Sequence, residues 1–139
     1  EVFLSKTAVN QNPEFFGWPF TGQTMPKKAS NKAYPQRSPD PVVDISVIGK
    51  GGKEFLKLSS YNLNTVYYEP KSEIRITASP LVDIVPEYSV MIIQQSDDLN
   101  LDYDVIVHTP ESPNYKEWLA ICNQTMPSGG QAPRHFGWF

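Results

Sequence analysis

Proline recurs along the whole of this chain, and its distribution restricts the fold more than any other feature. Thirteen prolines occur among 139 residues. Because proline lacks a backbone N–H and clashes with the preceding helical turn, it disrupts helix interiors and is excluded from most central strand positions. We therefore expect a mostly β domain, with short strands joined by irregular connections, as in a barrel or a sandwich.

Alternation of apolar and polar residues is the dominant local pattern. The glycine-rich turn at residues 49–52 predicts a hairpin between the two apolar runs that flank it. Short helices are predicted over residues 79–85, with Pro80 at the first position, and over residues 112–122. The predicted strands span residues 2–6, 42–48, 54–58, 73–77, 89–95 and 103–108, with a closing strand over 134–139.

The size and composition fit one soluble domain that folds on its own, since 40% of the residues are hydrophobic and 19% are charged. No run approaches the roughly 20 apolar residues that cross a bilayer, and the first residues lack the pattern of a signal peptide. The single Cys122 forbids an internal disulfide and fits a reducing cytoplasm. Because the chain begins at Glu1 rather than at methionine, we expect a fragment of a longer protein.

Catalytic and metal-binding patterns are sparse, so we expect a binding domain that is not an enzyme and needs no cofactor. His108 and His135 are the two histidines, and each is more typical of a structural or surface position than of catalysis. The acidic residues 97, 98, 102 and 104 lack the spacing of a calcium loop and read as a solvated turn. The glycine-rich segment 49–53 matches neither a P-loop nor a dinucleotide fingerprint.

The charge is unevenly distributed. A net charge of −3 and a pI of about 5.3 count against nucleic-acid binding. However, residues 1–53 hold seven Lys or Arg against four Asp or Glu, whereas residues 54–139 hold five against eleven. The basic charge is therefore concentrated in the first part of the chain.

Two polar stretches carry the side chains suited to reading base edges. The first, Gln23 to Lys32, lies within a longer stretch from Asn10 to Pro41 that has six prolines and is predicted to be a functional loop. In that longer stretch, Phe15 and Phe16 can also be interpreted as a plug for one end of a barrel. The second stretch, residues 57–65, is rich in Ser and Asn, and its alternative interpretation is an ordinary strand that turns Ser59 and Ser60 outward.

Several segments together resemble the B3-like DNA-binding fold of plant transcription factors and of the target-recognition domains of some restriction endonucleases. They are the opening strand over residues 2–6 followed by Phe15-Phe16, the strand over 52–57 with its Ser-rich continuation, the helix near 79–85, the strands over 88–95 and 102–108, and the closing Arg134-His135-Phe136-Gly137-Trp138. The closing segment is most similar to the domain of those endonucleases whose nuclease half has a phospholipase D fold.

The resemblance implies a seven-stranded pseudobarrel that inserts two arms into the major groove of double-stranded DNA. It implies a prokaryotic, cytoplasmic restriction endonuclease whose nuclease domain lies elsewhere in the parent chain, and no membrane. The arms are expected within residues 12–32 and 53–65, and Arg134 corresponds to a basic position that faces DNA. The candidate DNA-binding residues are Asn12, Trp18, Thr21, Gln23, Lys27, Lys28, Asn31, Lys32, Lys53, Lys57, Ser59, Ser60, Tyr61, Asn62, Asn64 and Arg134.

An alternative is a carbohydrate- or protein-binding β-sandwich with an exposed aromatic platform of Trp18, Tyr34, Tyr61 and Tyr67. The acidic pI suits this alternative better. Salt separates the two hypotheses, because DNA binding weakens steeply with added salt whereas stacking on a sugar does not.

Overall fold

The computed structural model describes residues 2–24, 33–126 and 133–139, and this part of the chain is mostly β. Its strands are β1 (Val2–Ser5), β2 (Gly22–Thr24), β3 (Tyr34–Gln36), β4 (Val42–Ile48), β5 (Glu54–Asn62), β6 (Asn64–Tyr68), β7 (Glu73–Thr77), β8 (Val90–Gln95), β9 (Tyr103–His108), β10 (Gln124–Met126) and β11 (Arg134–Phe136). The helices α1 (Lys6–Val9), α2 (Pro13–Phe16) and α3 (Tyr115–Ile121) are short, and 3-10 turns cover Lys50–Gly52, Glu69–Lys71 and Ser79–Leu81. In these three ranges no helix has the length and hydropathy to cross a membrane.

Two sheets and a small ribbon form the domain. The five-stranded sheet has the order β1-β7-β6-β3-β2, the four-stranded sheet has the order β5-β4-β9-β8, and β10 pairs with β11. The strand pairs are antiparallel except for β4 and β9, which run parallel. No sheet closes on itself, so the described strands form open sheets.

The core lies where the inward faces of the sheets meet. Residues alternate between buried and partly exposed along β4, and the same alternation occurs along β7 and β9. This period of two places one set of side chains in the core and the other toward solvent. The largest fully buried side chains are Val9, Val43, Ile45, Val47, Ile74, Val105 and Val107.

An aromatic cluster closes one part of this core. Phe15 lies 5.0 Å from the ring of Tyr103 and 6.3 Å from that of Trp138, and Phe16 packs on both Phe15 and Trp138. Arg37 donates from Nη1 to the Tyr103 hydroxyl at 2.6 Å, and that hydroxyl donates to the carbonyl of Phe15. Burial raises the pKa of Tyr103 although the neighbouring Arg37 lowers it. Phe15 and Phe16 therefore pack against the core of the domain.

The predicted second arm lies in the sheets instead of protruding. Residues 54–62 form one strand, longer than the predicted 54–58, with a bulge at Ser59 and Ser60. Ser60 has φ of +50° and donates its N–H to Asp44 Oδ1 at 2.9 Å. At the following corner, Leu63 donates its N–H to the carbonyl of Pro41 at 2.8 Å. These two hydrogen bonds hold residues 60–63 at the corner where β5 of one sheet continues into β6 of the other.

The hairpin around residues 49–52 is confirmed, and so are the strands 42–48, 73–77 and 103–108. Two predictions need correction: the expected loop over residues 10–41 contains α2, β2 and β3, and the closing strand ends at Phe136. The one or two helical turns expected over residues 79–85 are present as a 3-10 turn over Ser79–Leu81.

Candidate nucleic-acid interface

The register of the five-stranded sheet aligns one end of all its strands. Ser5 pairs with Glu73, and Glu73 pairs with Tyr68. On the other side Thr24 pairs with Tyr34, whose ring lies 5.3 Å from that of Tyr68. The row Ser5, Glu73, Tyr68, Tyr34 and Thr24 therefore crosses the whole sheet.

Four cationic residues lie at or next to this row. Lys6 directly follows β1 and donates its N–H to the carbonyl of Ser72 at 2.9 Å, which brings it beside the β6–β7 connection that carries Lys71. Arg75 shares the outer face of β7 with Glu73, because Ile74 and Ile76 between and beyond them are buried. Arg134 of β11 lies 3.8 Å from Glu73. We call the aligned row and these four residues the basic end of the sheet.

A cleft of about 420 Å³ opens at the basic end. Its charged lining consists of Lys6, Lys71, Arg134 and Glu73, and hydroxyl and amide groups of Ser5, Thr7, Asn10 and Ser72 complete its polar walls. Ammonium, guanidinium and hydroxyl groups are the donors that proteins use to bind phosphate oxygens. The cleft thus has the chemistry of an anion site with one internal carboxylate.

Aromatic rings fix the two arginines of the basic end. The Arg75 guanidinium lies 3.6 Å from the centre of the Tyr68 ring and 5.2 Å from that of Phe3. The Arg134 guanidinium lies 4.4 Å from the centre of the same Phe3 ring. Such cation–π contacts contribute about 0.5 to 2 kcal/mol each and restrict long side chains before a ligand arrives. Both guanidinium groups therefore pack on aromatic rings at the basic end.

The candidates of the first predicted arm are distributed between solvent, the core and the undescribed segment. Asn12, Thr21 and Gln23 are exposed, with Gln23 on the edge strand β2. Trp18 is half-buried against Phe20 and Tyr67, so it packs on the core. Lys27, Lys28, Asn31 and Lys32 lie outside the described residues, but the flanking Thr24 of β2 and Ala33 are described.

The candidates of the second predicted arm are not brought to the basic end. Asn64 begins β6 and Tyr68 ends it, and four residue steps of a strand span about 13 Å. Lys53, Lys57, Ser59, Ser60 and Asn62 are exposed along the turn and the edge strand β5, whereas Tyr61 is half-buried on the core and Asn64 is partly buried. Of the predicted site residues, the structure places Arg134 in the cleft and Gln23 one residue before the row.

Sequence reasoning missed Lys6, Lys71, Glu73 and Arg75. No motif marks them. Lys71, Glu73 and Arg75 lie within five consecutive residues, and Lys6 is brought to them by the pairing of β1 with β7. The one local signal is the alternation in β7, where Glu73 and Arg75 occupy the polar face.

The aromatic platform of the sugar-binding alternative is not assembled as one exposed surface. Trp18 and Tyr67 contact each other edge to face and pack on the core, and Tyr61 packs there as well. Tyr34 instead contacts Tyr68 at the basic end.

His108 and Cys122, which lie outside the basic end, each have a structural partner. His108 is buried, contacts Ser112 Oγ through Nδ1 at 2.7 Å and stacks on Trp118, and burial lowers its pKa. Burial also raises the pKa of the Cys122 thiol, which disfavours the reactive thiolate. Within the described ranges, no three His, Cys, Asp or Glu side chains are grouped so that they could hold a metal ion.

Comparisons with protein-family models, with curated proteins and with solved structures find no match for this chain.

Proposed function

We propose that this domain binds double-stranded DNA sequence-specifically and serves as the target-recognition domain of a restriction endonuclease. The observation that supports DNA binding best is the basic end, where Lys6, Lys71 and Arg134 line a polar cleft on a chain of net charge −3. Phosphate neutralisation dominates the affinity of proteins for DNA, so a local concentration of cations matters more than the net charge.

The segment that follows Thr24 in the sequence adds positive charge. Residues 25–32 contain Lys27, Lys28 and Lys32 and no acidic residue, and they join β2 to β3 at the basic end. The remaining acidic surface of the protein repels DNA and so favours one orientation of approach. Gln23 and Asn31, which can bond adenine in a bidentate manner, are the proposed base readers.

Thr24 pairs with Tyr34, and the Tyr34 ring lies next to that of Tyr68, so the ends of β2 and β6 lie in the same row of the sheet. We propose residues 25–32, which follow Thr24 in the sequence, and the β6–β7 connection with Lys71 as the two DNA-contacting arms, in place of residues 53–65.

The B3-like pseudobarrel belongs to the same proposal. Its support is the continuous path from β5 of one sheet into β6 of the other at the corner around Leu63, together with the parallel β4–β9 pair. The nuclease domain, in this proposal, lies in the parent protein of a prokaryotic cell, and this domain contributes recognition without chemistry.

A salt titration tests DNA binding against the sugar-binding alternative. Fluorescence anisotropy of a labelled random-sequence duplex is measured between about 50 and 200 mM salt. We expect the affinity to fall steeply, with a slope of about −0.9 in log K against log salt for each phosphate contacted. Absence of binding at the lowest salt, or a flat dependence, contradicts the proposal.

A further inference from the structure

Both ion pairs found among residues 2–24, 33–126 and 133–139 involve one carboxylate, that of Glu73. Glu73 begins β7 in the middle of the basic end, and its side chain is 13% exposed. A carboxylate at the centre of a cationic cleft opposes anion binding, so its contacts determine how the cleft treats a phosphate group.

The two carboxylate oxygens are held unequally. Oε1 accepts hydrogen bonds from Nε and Nη2 of Arg75, both at 3.1 Å. Oε2 lies 3.8 Å from Nη1 of Arg134, which is too long for a hydrogen bond. Glu73 therefore binds Arg75 firmly and attracts Arg134 only through charge.

Arg134 does not depend on Glu73 for its position. Its guanidinium packs over the Phe3 ring, and its side chain, 33% exposed, lines the cleft together with Lys6 and Lys71. Guanidinium groups bind carboxylate and phosphate oxygens in the same planar geometry. A phosphate can therefore replace Glu73 as the anionic partner of Arg134 without rearrangement of the sheet.

We propose that Lys6, Lys71 and Arg134 form a discrete binding site for one phosphate group of the DNA backbone, in which the Glu73 carboxylate competes with the phosphate for Arg134. This inference rests on the proposed function for the source of the phosphate. Arg75 stays paired with Glu73 whether or not phosphate is bound. Arg134 alone exchanges its weak contact with Glu73 for a contact with the phosphate.

Removing the charge of Glu73 therefore strengthens phosphate binding. Glu73→Gln keeps the size of the side chain and one oxygen acceptor for Arg75. For a unit charge roughly 6 to 8 Å from the phosphate at a partly solvated site, we expect about 3- to 30-fold tighter binding. The matched control is Glu87→Gln, which makes the same charge change at an exposed position before β8, outside the cleft lining and outside the proposed arms.

The experiment uses two probes on the wild type and both variants. In the first experiment, inorganic pyrophosphate is titrated while NMR follows the backbone amides of Lys6 and Ser72 and the Nε–Hε group of Arg134. We expect these signals to shift in the wild type and to shift at severalfold lower concentration in Glu73→Gln. In Glu87→Gln the concentration needed is expected to change less than twofold. Absence of shifts, or an equal gain in both variants, overturns the site.

In the second experiment, a random-sequence duplex replaces pyrophosphate. Tighter duplex binding by Glu73→Gln supports a backbone phosphate as the ligand, whereas a gain for pyrophosphate alone shows a site for free phosphate and overturns the DNA assignment. If Glu73→Gln fails to fold, Arg134→Gln is expected to abolish the pyrophosphate response, and an unchanged response overturns the site. Because pyrophosphate has no base sequence, the first experiment tests the phosphate site even if the protein fails to recognise DNA.

Discussion

The backbone N–H of Ser60 donates a 2.9 Å hydrogen bond to Oδ1 of Asp44, across the bulge of β5. Ser60 has φ of +50°, which non-glycine residues seldom adopt. The bond gives the extra residue of the bulge a partner and lets β5 bend toward the corner at Leu63. One acidic side chain on β4 thus helps to direct the chain from one sheet into the other.

We predict that Asp44→Ala lowers the free energy of unfolding by about 1 to 2 kcal/mol, because the Ser60 N–H loses its charged acceptor. Urea denaturation measures the change. Asp83→Ala, which removes an exposed carboxylate beyond the Ser79–Leu81 turn, is the control and is expected to change stability by less than about 0.5 kcal/mol. Equal effects of the two substitutions contradict the role of Asp44.

Gly137 is predicted to tolerate no side chain, since an ideal Cβ there would overlap the carbonyl oxygen of Ile121 at the end of α3. We expect Gly137→Ala to destabilise the protein by more than about 3 kcal/mol, as overpacking against backbone does in its severe cases. Thermal unfolding measures this loss of stability. Gly51→Ala is the comparison, because φ at Gly51 is +70° but no atom lies within 4 Å of its Cβ, so only about 1 to 2 kcal/mol of backbone strain is expected. A smaller loss at Gly137 than at Gly51 contradicts this packing.

Burial of His108 predicts a pH dependence of stability. Burial lowers its pKa in the folded state, so the unfolded chain binds the proton first as the pH falls below about 6.5. The contribution of the neutral imidazole is complete above that pH and is lost as the pH falls through the lowered folded pKa. We expect unfolding measured between about pH 7 and 5.5 to show a flatter pH dependence in His108→Gln than in the wild type. Replacement of the exposed His135 by Gln is expected to leave the slope unchanged; the reverse ranking contradicts the assignment.

The location of the interface predicts different effects for two exposed lysines. Lys71→Ala at the cleft is expected to weaken binding to every duplex and to reduce the salt slope by about 0.9, the value for one phosphate contact. Lys57→Ala makes the same charge change on β5, away from the basic end, and is expected to leave the slope unchanged. Anisotropy titrations at several salt concentrations measure both. A larger effect of Lys57→Ala places the interface on residues 53–65.

Much of the strand content follows from the sequence because period-two alternation is a local property. Strands such as β4 and β9, whose alternate residues enter the core, are predicted at their observed boundaries. β2, β3 and β10 have three residues each and are too short to show a period. No strand is predicted over β6, and its first two residues, Asn64 and Thr65, fall within the range expected for the second arm.

The candidate site was less predictable than the strands. Arg134 was expected to face DNA from its place in the closing segment, and the structure puts it in the cleft. Lys71 and Glu73 are two residues apart, but no local pattern brings Lys6 or Arg134 to them. That proximity depends on which strands pair and in which register, and this information is not local.

The most direct test of the proposed function is selection of the wild-type protein against a pool of randomised double-stranded DNA at low and moderate salt, followed by sequencing of the retained duplexes. The account predicts that one short shared motif is enriched at moderate salt. Retention without a shared motif contradicts sequence-specific recognition, and absence of retention even at low salt contradicts DNA binding altogether.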